Sequence, residues 1–176
     1  MNHDDHVRLI RPGVDGAGQR WLELGAGEGA FTLALADLLG PGGRITAIDR
    51  DARALGRMRD EVAARFPESH VEVATADFRE AIPEGEFDGL LAANSLHFVT
   101  DPTAVLRAAA ARLRPGGRAV VVEYEADRGN PWVPHPFSSR RFPEIAVAAG
   151  LAEPREIGRV PSRFLDAIYA AMAVRP

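Results

Sequence analysis

The segment Glu23-Leu24-Gly25-Ala26-Gly27-Glu28-Gly29 sets three glycines on alternate positions, with a carboxylate before them and another among them. Glycine reaches positive φ and leaves its backbone bare, so such a turn lets a ligand touch main-chain N–H groups. The helix expected after it points unpaired N–H groups and its positive dipole end into the turn, which favours a carboxylate or phosphate. This is a nucleotide-type binding turn. Two further acidic positions close later apolar runs. Asp49, with Arg50 beside it, stands where a carboxylate can accept both hydroxyls of a ribose. Ala76-Asp77-Phe78 offers a carboxylate and a ring able to hold and flank an adenine. Glu23 and Glu28 make the turn awkward for a pyrophosphate and natural for a cationic ligand carrying an ammonium and a sulfonium. Gly25-x-Gly27-x-x-Ala30 also satisfies the dinucleotide fingerprint, so the glycines alone leave NAD open. A nicotinamide dinucleotide needs a second nucleotide-binding half, for which the strands here are too few.

These residues need elements to hold them. Arg20–Leu24 reads as a short apolar strand leading into the glycines. Ala30–Leu39 is almost wholly apolar, as a helix wedged against a sheet would be, and Gly40-Pro41-Gly42-Gly43 ends it. Arg44–Asp49 is a second strand. Asp51–Phe66 carries Leu55, Met58, Val62 and Phe66 at helical spacing and stops at Pro67. Val71–Thr75 and Phe87–Ala93 are the third and fourth strands. Asp101-Pro102 is an N-cap and first-turn pair for a helix with Val105, Leu106, Ala109 and Leu113 on one face. Arg114-Pro115-Gly116-Gly117 then turns into a fifth strand, Ala119–Tyr124. Strands alternating with helices in this rhythm make βαβ units, whose right-handed crossovers build a parallel sheet with helices on both faces. Beyond Tyr124 the rhythm breaks: Glu125–Phe137 is a Pro-rich loop and Phe142–Gly150 a helix. Propensity alone makes Leu165–Val174 a helix too.

Composition narrows the class. With 176 residues, 46% of them hydrophobic and 26% charged, the chain suits one well-buried soluble domain over residues 1–176. A net charge of −4 argues against a broad nucleic-acid surface. Every basic residue apart from histidine is Arg, which reads as compositional bias. The lack of cysteine removes disulfides, thiolate zinc sites and a cysteine nucleophile, and fits a cytoplasmic home. No apolar run approaches the roughly 20 residues of a membrane span, so no membrane association is expected. The polar start Met1–Arg8 is no signal peptide. His3, Asp4, Asp5 and His6 could be drawn as a metal cluster; a mobile, solvated terminus is the expectation, and no metal is assigned.

From Gly16 to Tyr124 the chain resembles the class I S-adenosylmethionine-dependent methyltransferases. Glu23–Gly29 is similar to that family's glycine-rich first motif, Asp49 to its ribose-binding acid and Ala76-Asp77-Phe78 to its adenine-contacting segment. Phe87-Asp88-Gly89-Leu90-Leu91 through His97 resembles the fourth-strand motif, and Leu113-Arg114-Pro115-Gly116-Gly117 the turn before the fifth strand. Five motifs in order, at compatible spacing, make the resemblance specific. It implies a Rossmann-like three-layer αβα sandwich with a mostly parallel seven-stranded sheet and an antiparallel last strand. Leu165–Val174 then becomes that strand and Glu153–Val160 its hairpin partner. It also implies S-adenosyl-L-methionine as cofactor, S-adenosyl-L-homocysteine as product, and cofactor contacts at Glu23, Gly25, Ala26, Gly27, Gly29, Asp49, Arg50, Ala76, Asp77, Phe78 and Asn94.

The reaction so implied is in-line displacement of a methyl group from a sulfonium onto a small-molecule acceptor. His97 follows the fourth strand, at the sheet edge where open α/β folds bind ligands, and an imidazole there could serve as general base. It could equally hydrogen-bond backbone and pack. Glu123 and Tyr124, at the end of the fifth strand, face the same choice, and Trp132 and His135 either contact substrate or pack the loop. The tetrapeptide Asn94-Ser95-Leu96-His97 lacks the Asn/Asp-Pro-Pro-Tyr/Phe pattern of amino-methylating enzymes acting on nucleobases and protein glutamines. Cover over the site must come from the N-terminal segment 1–19 through Val7–Ile10, from Glu125–Arg141, or from a partner subunit in a homodimer. Two other readings stay open: a non-catalytic cofactor-binding partner subunit and an NAD-dependent oxidoreductase.

Overall fold

The computed structural model describes residues 1–14 and 16–176. Seven strands form one sheet: β1 (Arg20–Leu24), β2 (Arg44–Asp49), β3 (His70–Thr75), β4 (Phe87–Ala93), β5 (Leu113–Tyr124), β6 (Ala152–Pro161) and β7 (Ala167–Val174). Their order is β3-β2-β1-β4-β5-β7-β6. The first five run parallel, β7 lies antiparallel to β5, and β6 is antiparallel to β7. The chain winds outward from β1 to β3, then crosses back to β4 beside β1. That reversal opens a crevice at the carboxyl ends of β1 and β4, where this architecture takes ligands.

Period-two alternation sorts the side chains into two cores. Leu91, Ala93, Val120, Val122, Ala170 and Met172 face α1 (His3–Ile10), α2 (Ala30–Leu39) and α3 (Ala52–Arg65). Leu90, Ala92, Ala119, Val121, Ala171 and Ala173 face α4 (Pro102–Ala110) and α5 (Phe142–Ala148). Both faces of the central strands are therefore covered, which is why these strands read as unbroken apolar runs. Asp51 caps α3 by accepting from the N–H groups of Arg53 and Ala54, and Asp101 caps α4 by accepting from Ala104. The turn Arg114–Gly117 sits inside β5 as an excursion: Leu113 pairs with Phe87, and pairing resumes at Arg118 with Gly89.

Two expectations are settled at the chain's ends. Leu165–Val174 is not a helix. Ala167–Val174 is a strand buried between β5 and β6, and tertiary placement overrides the helical propensity of its Ala, Leu and Met. The N-terminus is not a mobile, solvated tail. Asn2 and Asp5 form a capping box, the Asn2 side chain accepting from the Asp5 N–H (2.9 Å) and the Asn2 N–H donating to the Asp5 carboxylate (3.1 Å). Val7, Leu9 and Ile10 are buried in the core. Leu9 packs on β6 at Gly158, where an added Cβ would stand 3.1 Å from Leu9 atoms, so a small residue lets helix and strand meet. The drawn metal cluster is dispersed: His3 hydrogen-bonds Asp37 (2.9 Å) and His6 packs on the Phe31 ring. No helix among the described residues is long and apolar enough to cross a membrane.

Candidate active site

The glycine turn is built by its neighbours. The N–H groups of Gly25 and Ala26 both donate to the Ile48 carbonyl, and that of Gly27 donates to the Asp49 carboxylate (2.9 Å). The other Asp49 oxygen accepts from the Asp51 N–H (2.9 Å). Each oxygen keeps a second lone pair for a ligand, so Asp49 is held in place without being used up. Gly25 has φ 73°, and a Cβ there would approach Ser95 Cβ to 2.6 Å. Only glycine lets the turn after β1 touch the turn after β4. Gly29 opens α2 at φ 84°, without a side-chain cap.

These turns enclose a cavity of about 310 Å³ lined by Gly25, Gly27, Asp49, Arg50, Asp77, Phe78, Arg79, Asn94, Ser95 and Phe98. Seven of the residues proposed from sequence as cofactor contacts thus share one wall. Asn94 Oδ1 and Ser95 Oγ are buried without a hydrogen-bond partner among the described residues, and a buried polar atom left unpaired costs free energy. Asn94 also adopts φ 51°, which Asn tolerates better than most residues. Ala26, Gly29 and Ala76, also expected as cofactor contacts, do not line this cavity. Glu23 does not line this cavity. It is sealed in the core, accepting a 2.6 Å bond from the Thr32 hydroxyl, and so fastens α2 to β1. Burial, opposed by that bond and helped by nearby Asp49, pushes Glu23 up to about 7. Glu28 is turned outward onto Arg57.

Asp77 is held by Arg79, whose Nε reaches both carboxylate oxygens (2.9 and 3.0 Å) and whose Nη2 also bonds Oδ2. This side-chain pairing is the chief reason its carboxyl drops to about 2. The ring of Phe78 closes the cavity behind Gly25.

A second, larger cavity of about 1030 Å³ adjoins the first at Asn94. The end of β5 supplies Tyr124, and β6 with its connection to β7 supplies Arg159, Val160, Arg163 and Phe164. Helix α1 supplies Asp5, Arg8 and Leu9. Of Val7–Ile10, Arg8 and Leu9 line this cavity. Trp132 is 71% exposed and reaches the site only by packing edge-on against Phe164. His135 lines a separate cavity of about 220 Å³ with Asp127 and Arg141, and its N–H donates to the His97 carbonyl.

His97 is withdrawn from both cavities. It is 2% exposed, with Nδ1 2.7 Å from the Glu123 carboxylate and its own N–H donating to the other Glu123 oxygen (3.1 Å). The packing role weighed for it is the one its surroundings provide. Burial and neighbouring Glu123 raise the Tyr124 hydroxyl, so it stays protonated near neutral pH. Sequence reading missed Ser95, Arg79, Arg163 and Phe164. Asn94-Ser95 adjoins a recognised motif, so Ser95 was within reach. Arg163 and Phe164 carry no local signal, because the antiparallel return of β7 alone brings them to the site.

A parallel sheet, a glycine turn at its switch point and an acid closing the second strand define a nucleotide-dependent Rossmann-like enzyme class. A family model described as a methyltransferase domain matches residues 22–119. The chain belongs to that family, the class I S-adenosylmethionine-dependent methyltransferases, and S-adenosylmethionine is its cofactor. A ubiquinone/menaquinone biosynthesis C-methyltransferase, UbiE, from Ectopseudomonas mendocina is 29% identical over 143 residues, 81% of this chain and 54% of that protein. A second UbiE, from Pseudomonas savastanoi, is 32% identical over 108 residues, 61% of this chain and 42% of the relative. The chain thus spans about half the length of these curated relatives. Among solved structures, the N-methyltransferase NodS of Bradyrhizobium japonicum, in complex with S-adenosylhomocysteine, superposes with TM-score 0.71 at 24% identity, covering 99% of this chain and 85% of NodS.

Proposed function

We propose that the chain methylates a small organic acceptor bound in the larger cavity. The observation that carries this reading is the meeting of the two cavities at Asn94, beside the unpartnered Ser95 hydroxyl. The smaller cavity has the polar groups an adenosine needs: Asp49 with free lone pairs for ribose hydroxyls, the Gly27 backbone, and Asp77 with Phe78 at the adenine end. Bound there, S-adenosylmethionine supplies a methyl group on a sulfonium, whose leaving thioether is already excellent. The protein's task is alignment, since holding acceptor and methyl in attack geometry is worth several kcal/mol. The acceptor would use a heteroatom lone pair or a ring π pair to form the new bond to the methyl carbon, and the S–C bonding pair would stay on sulfur. Any proton on the acceptor atom leaves to water, because neither His97 nor Tyr124 is suited to take it. The open space beside Asn94 favours an enzyme over a non-catalytic binding subunit, whose methyl-facing side would be filled by side chains. The curated relatives are named C-methyltransferases and NodS an N-methyltransferase, so ring carbons and amines are the first acceptors to try.

Isothermal titration with S-adenosylhomocysteine tests the cofactor half of the reading. Wild type is expected to bind and Asp49→Ala to lose tenfold or more in affinity. Absence of binding by wild type, or equal binding by the variant, overturns it.

A further inference from the structure

The larger cavity carries three guanidiniums, and two are already matched. Arg8 bonds Asp5 at 2.5 Å, and Arg159 lies 2.8 Å from Glu156 and 3.3 Å from Glu125. Arg163, in the connection between β6 and β7, has no carboxylate partner among the described residues. The next residue, Phe164, is half exposed and meets Tyr124 edge-on with ring centroids 5.7 Å apart. Trp132 extends this row of rings from the opposite loop. One wall therefore combines an uncompensated positive charge with an aromatic surface left open. Arg163 is exposed, so an anionic guest would give it a partner and a cationic guest would be repelled by it. The wall also lacks a free base, since Asp5 is engaged by Arg8 and the Asn2 N–H. Any proton on the attacking atom therefore leaves to water.

We propose that the acceptor is a planar aromatic acid whose ring lies against Phe164 and Tyr124 and whose anionic group pairs with Arg163. Guanidinium binds carboxylate oxygens through two parallel N–H bonds, and aromatic rings gain from edge-on and offset contacts of the kind Phe164 already makes. The anionic group so held is the anchor; a separate ring carbon or heteroatom of the acceptor attacks the methyl, and any proton it carries leaves to water. This inference rests on the methyl-transfer reading and adds the substrate class to it.

The experiment is calorimetry at saturating S-adenosylhomocysteine with two probes, 3-hydroxy-2-naphthoate and 2-naphthol. The naphthoate is expected to bind at least tenfold more tightly than the naphthol. Arg163→Gln is expected to erase that preference, and Phe164→Ala to weaken both ligands about tenfold. Arg155→Gln, on the outer strand and away from the cavity, is expected to change neither. Unchanged S-adenosylhomocysteine affinity in each variant shows that the fold and cofactor site survive. Equal binding of the two probes, a preference that persists in Arg163→Gln, or tighter binding of 2-naphthylmethylamine overturns the proposal. Failure of the naphthoate to bind while S-adenosylhomocysteine binds overturns this inference alone. Failure of S-adenosylhomocysteine itself overturns the methyl-transfer reading beneath it.

Discussion

Glu23 is a carboxyl sealed between β1 and α2, with one hydroxyl for company. Its ordinary value is 4.5, and burial raises it to about 7 in the folded chain. The folded state therefore holds this proton more tightly than the unfolded chain does. Below pH 4.5 both states are protonated and the group costs nothing. As pH rises from 4.5 to about 7 the unfolded state ionises first, and stability falls by up to about 3 kcal/mol. Glu23→Gln cannot ionise, so its stability relative to wild type should rise across that window and level off above it. Urea unfolding of both proteins at pH 5 and pH 8 checks this; a constant difference would disprove the sealed carboxyl. The residue types of the cofactor cavity were readable because glycine, Asp49 and Asp77 are chemically distinctive at those positions. The direction of Glu23 was misread. It shares a strand face with Trp21 and points into the helical layer, towards a Thr32 that no local pattern marks.

At the scale of elements, the three-residue helical turn Leu96–Phe98 is tied to the end of β5 by the Glu123 carboxylate. Glu123 is fully buried, and both its oxygens go to His97. Glu123→Ala would leave a buried N–H and an imidazole nitrogen unpaired, and is expected to cost about 3 kcal/mol in urea unfolding. Glu123→Gln keeps one acceptor and should cost less. Asn94, Ser95 and Phe98 all line the cofactor cavity on or beside this turn, so the Ala variant should also bind S-adenosylhomocysteine several-fold more weakly. Unaltered affinity in a destabilised Ala variant would show that the turn is held by other means. The five parallel strands and their helices were legible because each has its own apolar period and its own stop signal. The β6–β7 hairpin was not legible from the residues themselves. Ala167–Val174 has helical composition, and only its burial between two strands makes it extended. The resemblance to a family supplied what propensity could not. The order of α1 was missed because its capping box lies within a polar run that reads as solvated.

For the whole molecule, cofactor binding and folding are linked. At a free S-adenosylhomocysteine concentration 100 times its Kd, the native state gains about 2.7 kcal/mol. In a domain of this size that corresponds to about 5–10 °C in thermal midpoint. NAD at the same concentration should shift it by less than 1 °C, on the order of 0.3 kcal/mol or below; a larger shift would revive the oxidoreductase alternative. The sheet reads as one cooperative body, yet its two tryptophans sit at opposite extremes. Trp21 is 1% exposed in the core, and Trp132 stands almost bare beside Phe164. The emission of this chain should therefore divide into a blue component that acrylamide cannot reach and a red one that it quenches. The first follows the packing of the interior and the second the occupancy of the cavity mouth. A single spectrum then carries two clocks, and an acceptor that dims the red band while leaving the blue one still has entered without disturbing the fold.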